Sequence, residues 1–481
     1  MNIVEALLWV FAWLAFAYFV VYGVCQIAFT LVAWRKLAAG RHARAFAPLD
    51  ELYASPFTPP VSILLPAYNE EAGVVSSVRS LLDLRYPRHE VIVVNDGSTD
   101  GTIDRLREAF ELVPVRHALR TRIPTAAVRG AFVSRIHPNL WVLDKENGGK
   151  ADALNAGINA SAHAHFCAID ADAVVEQDAL LRVIAPFVDD PDLVAAAGGI
   201  VRVANGAVIE SGRLVDFRLP AGHIVRFQVL EYFRAFLLGR LAFDSMNAVL
   251  IISGAFGLFK RELVETVGGY AHNTVGEDAE LVARLHGHLR QRGEPFRIRF
   301  IPDPVCWTEA PSEVKLLSRQ RRRWQRGLGE TLWRHRRQMF NPRAGAFGLF
   351  TLPYFLFFEL LGAVIEALGI PVVLIAWLTG TLSVTFFVLF LAVSVLLAVI
   401  VSISALLLEE YADRRYERGR DMARLVAYAM AESLGYNQLT AYFRCCGFVD
   451  LLRRRRDWGV MTRKGLEQPA EAQLPEGEVR A

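Results

Sequence analysis

The sequence predicts an α/β domain with a mostly parallel sheet, inserted between N-terminal and C-terminal transmembrane helices. Two observations carry this. Between residues 59 and 310, short apolar runs such as "VSILLPA", "EVIVVND" and "FCAID" alternate with stretches of helical spacing, the pattern of strands joined by crossover helices. Long apolar blocks flank that region on both sides.

The N-terminal block, Ile3–Trp34, is almost continuously apolar and exceeds the roughly 20 residues that a bilayer crossing needs. Glu5 precedes most of it, whereas Arg35, Lys36, Arg41 and Arg44 follow it. A cleaved signal peptide carries its positive charge in front, so residues 1–35 predict an anchor. The positive-inside rule then puts the N-terminus outside and the chain after Arg35 in the cytoplasm. Residues 311–343 predict interfacial helices. Blocks at Ala346–Trp377 and Thr381–Leu408, split at "LTGTL", predict a transmembrane pair over 344–410. A third block, Leu425–Phe443, contains Glu432 and Asn437. If it spanned, Arg453–Arg456 would lie outside against the same rule, so 420–452 reads as either an interfacial or a third membrane helix. The polar tail 464–481 predicts disorder.

A chain of 481 residues has room for more than one core, since single cores stop growing near ~250–300 residues. With 53 basic and 50 acidic side chains the net charge is +3. That balance argues against nucleic acid as a partner, which calls for a concentrated basic excess. Five cysteines without a CxxC pair read as reduced thiols.

Ligands of open α/β sheets bind beyond the carboxyl ends of the strands, and polar residues cluster there. Asp96 closes "VIVVND", where a turn or helix-cap role competes with a functional one. Asp170 and Asp172 follow the strand "FCAI". Read as extended, they point the same way and repel one another unless a hard cation lies between them. In "VGEDAELVARL", Glu277 and Asp278 suit a helix N-terminus, and Asp278 equally suits a general base. "ISGAFG" is a small-residue segment that fits either close substrate approach or tight packing. "LSRQRRRWQRG" fits a membrane-surface helix or a place where arginine meets phosphate while an indole stacks on a sugar.

Taken in order, "PAYNE", "NDGSTDGT", "GGKADALN", "DAD", "SGAFG", "GED" and "QRRRW" resemble family 2 glycosyltransferases. They are most similar to the membrane-embedded processive synthases of cellulose, hyaluronan, chitin and poly-N-acetylglucosamine. The resemblance covers about Val61 to Gly329 plus the membrane layout. "GED", "ISGA" and "QVLEY" (Gln228, Glu231, Tyr232) bring it nearest to the poly-N-acetylglucosamine type. It implies a cytosolic GT-A-like (nucleotide-diphospho-sugar transferase) domain over 59–310, in a multi-pass protein of the plasma (inner) membrane. It implies that Tyr68, Glu70, Asp96 and Lys150 surround the nucleotide of a UDP-sugar donor. Asp170 and Asp172 would hold Mg²⁺ or Mn²⁺, Asp172 more directly, and Arg323 would stabilise the departing UDP. Asp278 would be the base of an inverting transfer. Gln320, Trp324 and Glu277 would hold the acceptor, a growing β-linked polysaccharide. Membrane lipid and accessory or export subunits are the other implied partners. Two alternatives stay open: transfer of one sugar to a lipid, and an inactive membrane scaffold. Outside the motifs, the basic stretch between Phe110 and Leu140 reads as a solvated surface loop, and His163 and His165 read as surface residues.

Overall fold

The computed structural model describes residues 3–45, 49–116, 120–210, 213–381, 383–412 and 418–453; the tail beyond 464 lies outside the described residues. Helix α1 (Ile3–Ala45) leads through α2 (Leu49–Ala54) into the α/β part. This part runs β1 (Val61–Ala67), α3 (Val74–Leu82), β2 (His89–Asp96), α4 (Thr102–Phe110), β3 (Leu112–Pro114), β4 (Val128–Ser134) and β5 (Leu140–Lys145). It continues with α5 (Lys150–Ala160), β6 (His165–Ile169), β7 (Val174–Val175), α6 (Ala179–Asp189), β8 (Val194–Val203), and the hairpin of β9 (Ala207–Glu210) and β10 (Arg213–Phe217). Then come α7 (His223–Phe233), a π-helical stretch Arg234–Arg240, α8 (Leu241–Ser245), β11 (Phe256–Lys260), α9 (Arg261–Thr266), α10 (Glu277–Arg292) and β12 (Arg297–Thr308). The C-terminal part holds α11 (Val314–Arg334), α12 (Leu352–Tyr354), α13 (Gly362–Leu378), α14 (Val384–Ala412), α15 (Gly419–Ala431) and α16 (Tyr436–Leu452).

Ten strands form one sheet in the order β3-β4-β5-β2-β1-β6-β11-β8-β12-β7. Its centre, β5-β2-β1-β6, is parallel, and β11 runs antiparallel between β6 and β8. Strands covered by helices on both faces are apolar along their whole length. Hence Val61, Ile63, Leu64 and Leu65 of β1 and Val91–Val94 of β2 are all buried. The parallel strands end together, so Ala67, Asp96 and the residues after Ile169 share one rim.

The stretch expected to be a solvated loop between Phe110 and Leu140 instead builds the sheet's edge. Strand β4 pairs with β5 and with β3, and Arg107 lies 5.1 Å above the ring of Phe132. Ile123 is buried, and its N–H and C=O are both satisfied by the side-chain amide of Asn159. Arg129 and Gly130 in "VRGAFVS" interrupt the apolar run that would mark β4.

Among the described residues, three helices are long and apolar enough to cross a membrane, Leu8–Ala39, Phe347–Leu378 and Phe387–Ala412. The third late block is not continuous. Gly435, at φ 138°, a conformation only glycine adopts freely, separates α15 from α16. Helix α16 packs along α11 and α13, its Arg444 paired with Glu359 at 3.0 Å and its Asp450 with Arg322 at 2.6 Å.

Candidate active site

A cavity of about 2430 Å³ opens at the shared rim of β1, β2 and β6 and continues between α1, α13 and α14. Tyr68, Glu70, Asp96, Lys150, Asp170 and Asp172 line its sheet end, joined by Glu277 and Asp278. Gln320, Arg323 and Trp324 line it from α11. The residues singled out in the sequence therefore face one space.

Asp96 shapes the rim. Its Oδ1 accepts from Lys145 Nζ at 2.6 Å and from the Gly148 N–H at 3.0 Å, and its Oδ2 accepts from the Gly149 N–H at 2.7 Å. Its backbone carbonyl takes the amide of Asn147 at 2.7 Å. These bonds fold the loop that delivers Lys150 at the start of α5.

Lys150 is the positive centre among the acids. Its Nζ lies 2.5 Å from Asp170 Oδ1 and 3.7 Å from Glu277 Oε1. Burial opposes the ammonium charge, but Asp170, Glu277 and Asp278 outweigh it and hold the lysine above its ordinary pKa. Glu277 is shifted upward, chiefly by burial, with Lys150 opposing and Asp278 and Asp170 adding to it. Asp170 and Asp172 stand in a turn, with the Ala173 N–H on the Asp170 carbonyl at 3.0 Å. The extended geometry expected for this pair is thus replaced by a turn, which leaves both side chains on the cavity.

Asp278 sits in the first turn of α10. Its Oδ2 accepts from the Gly254 N–H at 3.2 Å and its Oδ1 from the Ala279 N–H at 2.8 Å. Gly254 belongs to "ISGAFG", and a Cβ there would come 3.0 Å from Lys150 Nζ. The small residue permits close approach. At the mouth of α10, Gly276 lies against Gly327 of α11, where a Cβ on either would stand 3.0 Å from the other's Cα. Two glycines thus let the helix bearing Asp278 abut the helix bearing Trp324.

The arginine-rich stretch is divided rather than one exposed patch. Arg321 and Arg326 are buried, Arg322 pairs with Asp450, and Arg323 faces the cavity. Trp324 is 44 % exposed. Among residues not assigned a role from sequence, Arg240 lines the cavity with its guanidinium 3.7 Å from the Phe236 ring centroid. Burial lowers its pKa to about 10 against the pull of Asp278 and Tyr232. Arg321 and Tyr436 were missed too. No spacing rule tells the buried arginine of "QRRRW" from the others, and Tyr436 lies far along the chain. His165 is not a surface residue: its ring packs on Phe187 at 5.1 Å, and burial lowers its pKa to about 4.

Acids and a lysine at the ends of α/β strands, with an arginine–tryptophan helix beside them, stand within a sequence that matches the glycosyltransferases. Residues 59–327, more than half of the chain, match the family model described as "Glycosyltransferase like family 2", and the chain belongs to that family. Residues 244–429 also match the chitin synthase model. Poly-beta-1,6-N-acetyl-D-glucosamine synthase of Staphylococcus aureus (strain COL) is 30% identical over 275 residues, 57% of this chain and 56% of that protein. The synthase of the same name from Staphylococcus epidermidis is 29% identical over the same span. The chain thus spans about half the length of the curated relatives it matches. In fold it resembles the mannosyltransferase PcManGT from Pyrobaculum calidifontis, solved in complex with GDP-Man and Mn²⁺. That likeness has a TM-score of 0.54 at 18% identity and covers 94% of this chain and 100% of the other.

Proposed function

We propose that the chain transfers a sugar from a UDP-sugar, with inversion, to the end of a growing β-linked polysaccharide at the cytoplasmic face of the plasma membrane. On this reading the product leaves along the cavity. One observation carries it: the space lined by Asp170, Asp172, Asp278 and Trp324 is continuous with the space between the membrane-length helices, past Tyr354, Glu359, Phe390 and Ser394. Aromatic rings interleaved with hydroxyls and carboxylates suit a sugar chain, whose ring faces are apolar and whose rims are polar.

Tyr68, Glu70 and Asp96 frame the nucleotide, and Lys150 and Arg323 face the diphosphate. Asp172 and Asp170 would hold a divalent cation. Among the described residues no group of three or more metal-ligating side chains occurs, and Lys150 holds one oxygen of Asp170, so the protein itself would supply only these two carboxylates. Two carboxylates suit a hard ion whose remaining ligands are diphosphate oxygens and water. When bound, such an ion neutralises charge on the leaving diphosphate. Asp278, held by the Gly254 and Ala279 N–H groups, takes the proton of the acceptor hydroxyl. That oxygen then attacks the anomeric carbon opposite UDP, turning an α-linked donor into a β-glycoside. Gln320 and Trp324 grip the terminal acceptor sugar, and Glu277, lining the same cavity, contributes to acceptor binding.

Membranes bearing the protein, incubated with a panel of UDP-sugars with and without Mn²⁺, test this by UDP release and mass spectrometry of the product. Similarity to the staphylococcal synthases makes UDP-N-acetylglucosamine the first donor to try. Absence of UDP release from every donor would overturn the reading. A second reading, one sugar added to a lipid, is favoured by the apolar wall that Phe19, Phe387 and Leu391 give the cavity. Gel filtration of the product separates polymer from single transfer.

A further inference from the structure

Beneath the acceptor platform lies a polar cluster that the transfer chemistry does not use. Glu231, near the end of α7, accepts two hydrogen bonds on Oε2: from Arg321 Nη2 at 2.7 Å and from the Tyr436 hydroxyl at 2.9 Å. Arg321 is only 2% exposed. Its guanidinium carbon lies 4.4 Å from the indole centroid of Trp324, and its Nη1 donates to Gln320 Oε1 at 3.2 Å. One guanidinium therefore touches both side chains assigned above to the acceptor. Three elements distant in sequence, α7, α11 and α16, meet on it.

A guanidinium buried to this degree is costly without a carboxylate, and Glu231 supplies one. Its planar fork also has a fixed orientation once two donors are committed. That orientation matters for Trp324. A half-exposed indole on a helix has several staggered side-chain conformations open to it, and stacking against an immobile cation selects one. It matters for Gln320 as well. With its carbonyl oxygen committed to Arg321, the amide NH₂ is the group left to meet a sugar hydroxyl.

We propose that Glu231 is a positioning residue for the acceptor. Acting through Arg321, it pre-sets Trp324 and Gln320 so that the terminal sugar is gripped in one orientation for the next attack. The inference rests on the acceptor role given to those two residues above. A preformed platform removes an ordering cost from binding. Its loss therefore falls on acceptor affinity and on the number of sugars added per encounter. Donor handling belongs to a separate pair, Lys150 and Asp170.

The test uses the full chain in detergent or membranes, with donor, Mn²⁺ and a short β-linked oligosaccharide as acceptor. Glu231→Gln keeps the size of the side chain and removes its charge. The expected result is a rise in acceptor KM on the order of tenfold, about 1.4 kcal/mol, with shorter products. UDP affinity and acceptor-independent donor hydrolysis stay within about twofold of the parent, a margin of ~0.4 kcal/mol. Glu231→Asp, which retains the charge, restores part of the product length. Tyr436→Phe removes one of the two donors to Glu231 and gives the same split in smaller measure, so the test stands even where Glu231→Gln does not fold. Unchanged acceptor KM and product length in a folded Glu231→Gln or Tyr436→Phe protein overturns the proposal. So does a loss shared equally by donor hydrolysis and acceptor use. Turnover of the unsubstituted chain is measured first: if it releases no UDP, the functional reading itself falls and this inference with it.

Discussion

Lys150 Nζ stands 2.5 Å from Asp170 Oδ1, and the same ammonium is 3.7 Å from Glu277 Oε1. A single lysine at the N-terminus of α5 thus neutralises acids delivered by β6 and α10, and the cleft holds its negative charge together through it. Replacing it with methionine leaves Asp170, Glu277 and Asp278 without the ammonium that lies among them. Lys150→Met is expected to lower donor turnover about 100-fold, the usual cost of removing one preorganised charge-stabilising group. UDP-release kinetics check this, and a loss under threefold would place the diphosphate away from Lys150.

Asp278 is held by two backbone N–H groups, from Gly254 and Ala279, and the cavity reaches it. Asp278→Asn keeps shape and loses the ability to take a proton. General-base catalysis contributes roughly 10²–10⁴-fold, so transfer is expected to fall by at least about 100-fold while UDP binding by calorimetry is unchanged. A fully active variant would remove the base assignment.

Asp172 lines the cavity beside Asp170, and on the proposed reading it meets the cation more directly, since Lys150 holds Oδ1 of Asp170. In the unsubstituted chain, Mn²⁺ is expected to tighten UDP binding, and in Asp172→Ala that tightening is expected to vanish. Calorimetry with and without Mn²⁺ decides it. A variant that still responds fully to Mn²⁺ would move the cation elsewhere.

Much of this site could be read before any coordinates, and the reason is topological. Asp96 and Asp170 each sit where an apolar strand stops, so strand ends found by hydropathy are also candidate-site positions, whereas Lys150 at the start of α5 came from the family resemblance alone. Glu277 and Asp278 announced themselves as acids at a helix start. What could not be read is tertiary. Whether Asp170 and Asp172 extend or turn depends on one backbone hydrogen bond from Ala173. Which arginine of "QRRRW" is buried depends on Glu231 and Tyr436, on two other helices. Strand β4 was hidden because Arg129 and Gly130 interrupt its apolar run, and its pairing with β3 and β5 is a tertiary fact. The break at Gly435 lay inside a block apolar enough to look continuous.

Trp324 offers one face to Arg321 at 4.4 Å and remains 44 % exposed toward the cavity. Removing an aromatic stacking surface costs roughly 1–3 kcal/mol, by analogy with stacked bases. Trp324→Ala is expected to keep UDP affinity and shorten the product or stop elongation, read by gel filtration. Product of unchanged length would count against stacking.

The apposition of α10 and α11 gives a prediction about stability and its pH dependence. Glu280, 1% exposed, accepts from Arg284 Nη2 at 2.6 Å and from His335 Nε2 at 3.3 Å, and pairs with Arg334 at 3.5 Å. The carboxylate on α10 thereby clamps the far end of α11. Burial alone would raise its pKa, but the hydrogen bond from His335 and the charge of Arg284 outweigh burial and hold it down to about 2, against an ordinary 4.5. Because the folded value lies below the unfolded one, the stabilisation is complete above about pH 4.5 and drains away as pH falls towards about 2. Breaking a buried ion pair by removing one partner costs roughly 3–5 kcal/mol. Glu280→Gln is therefore expected to lose about 3 kcal/mol at pH 7, seen as a lower Tm in detergent. The gap between the two proteins is expected to narrow steadily once pH drops below about 4.5. A gap that stays constant down to pH ~3 would mean that shape, not the charge of Glu280, holds the two helices together.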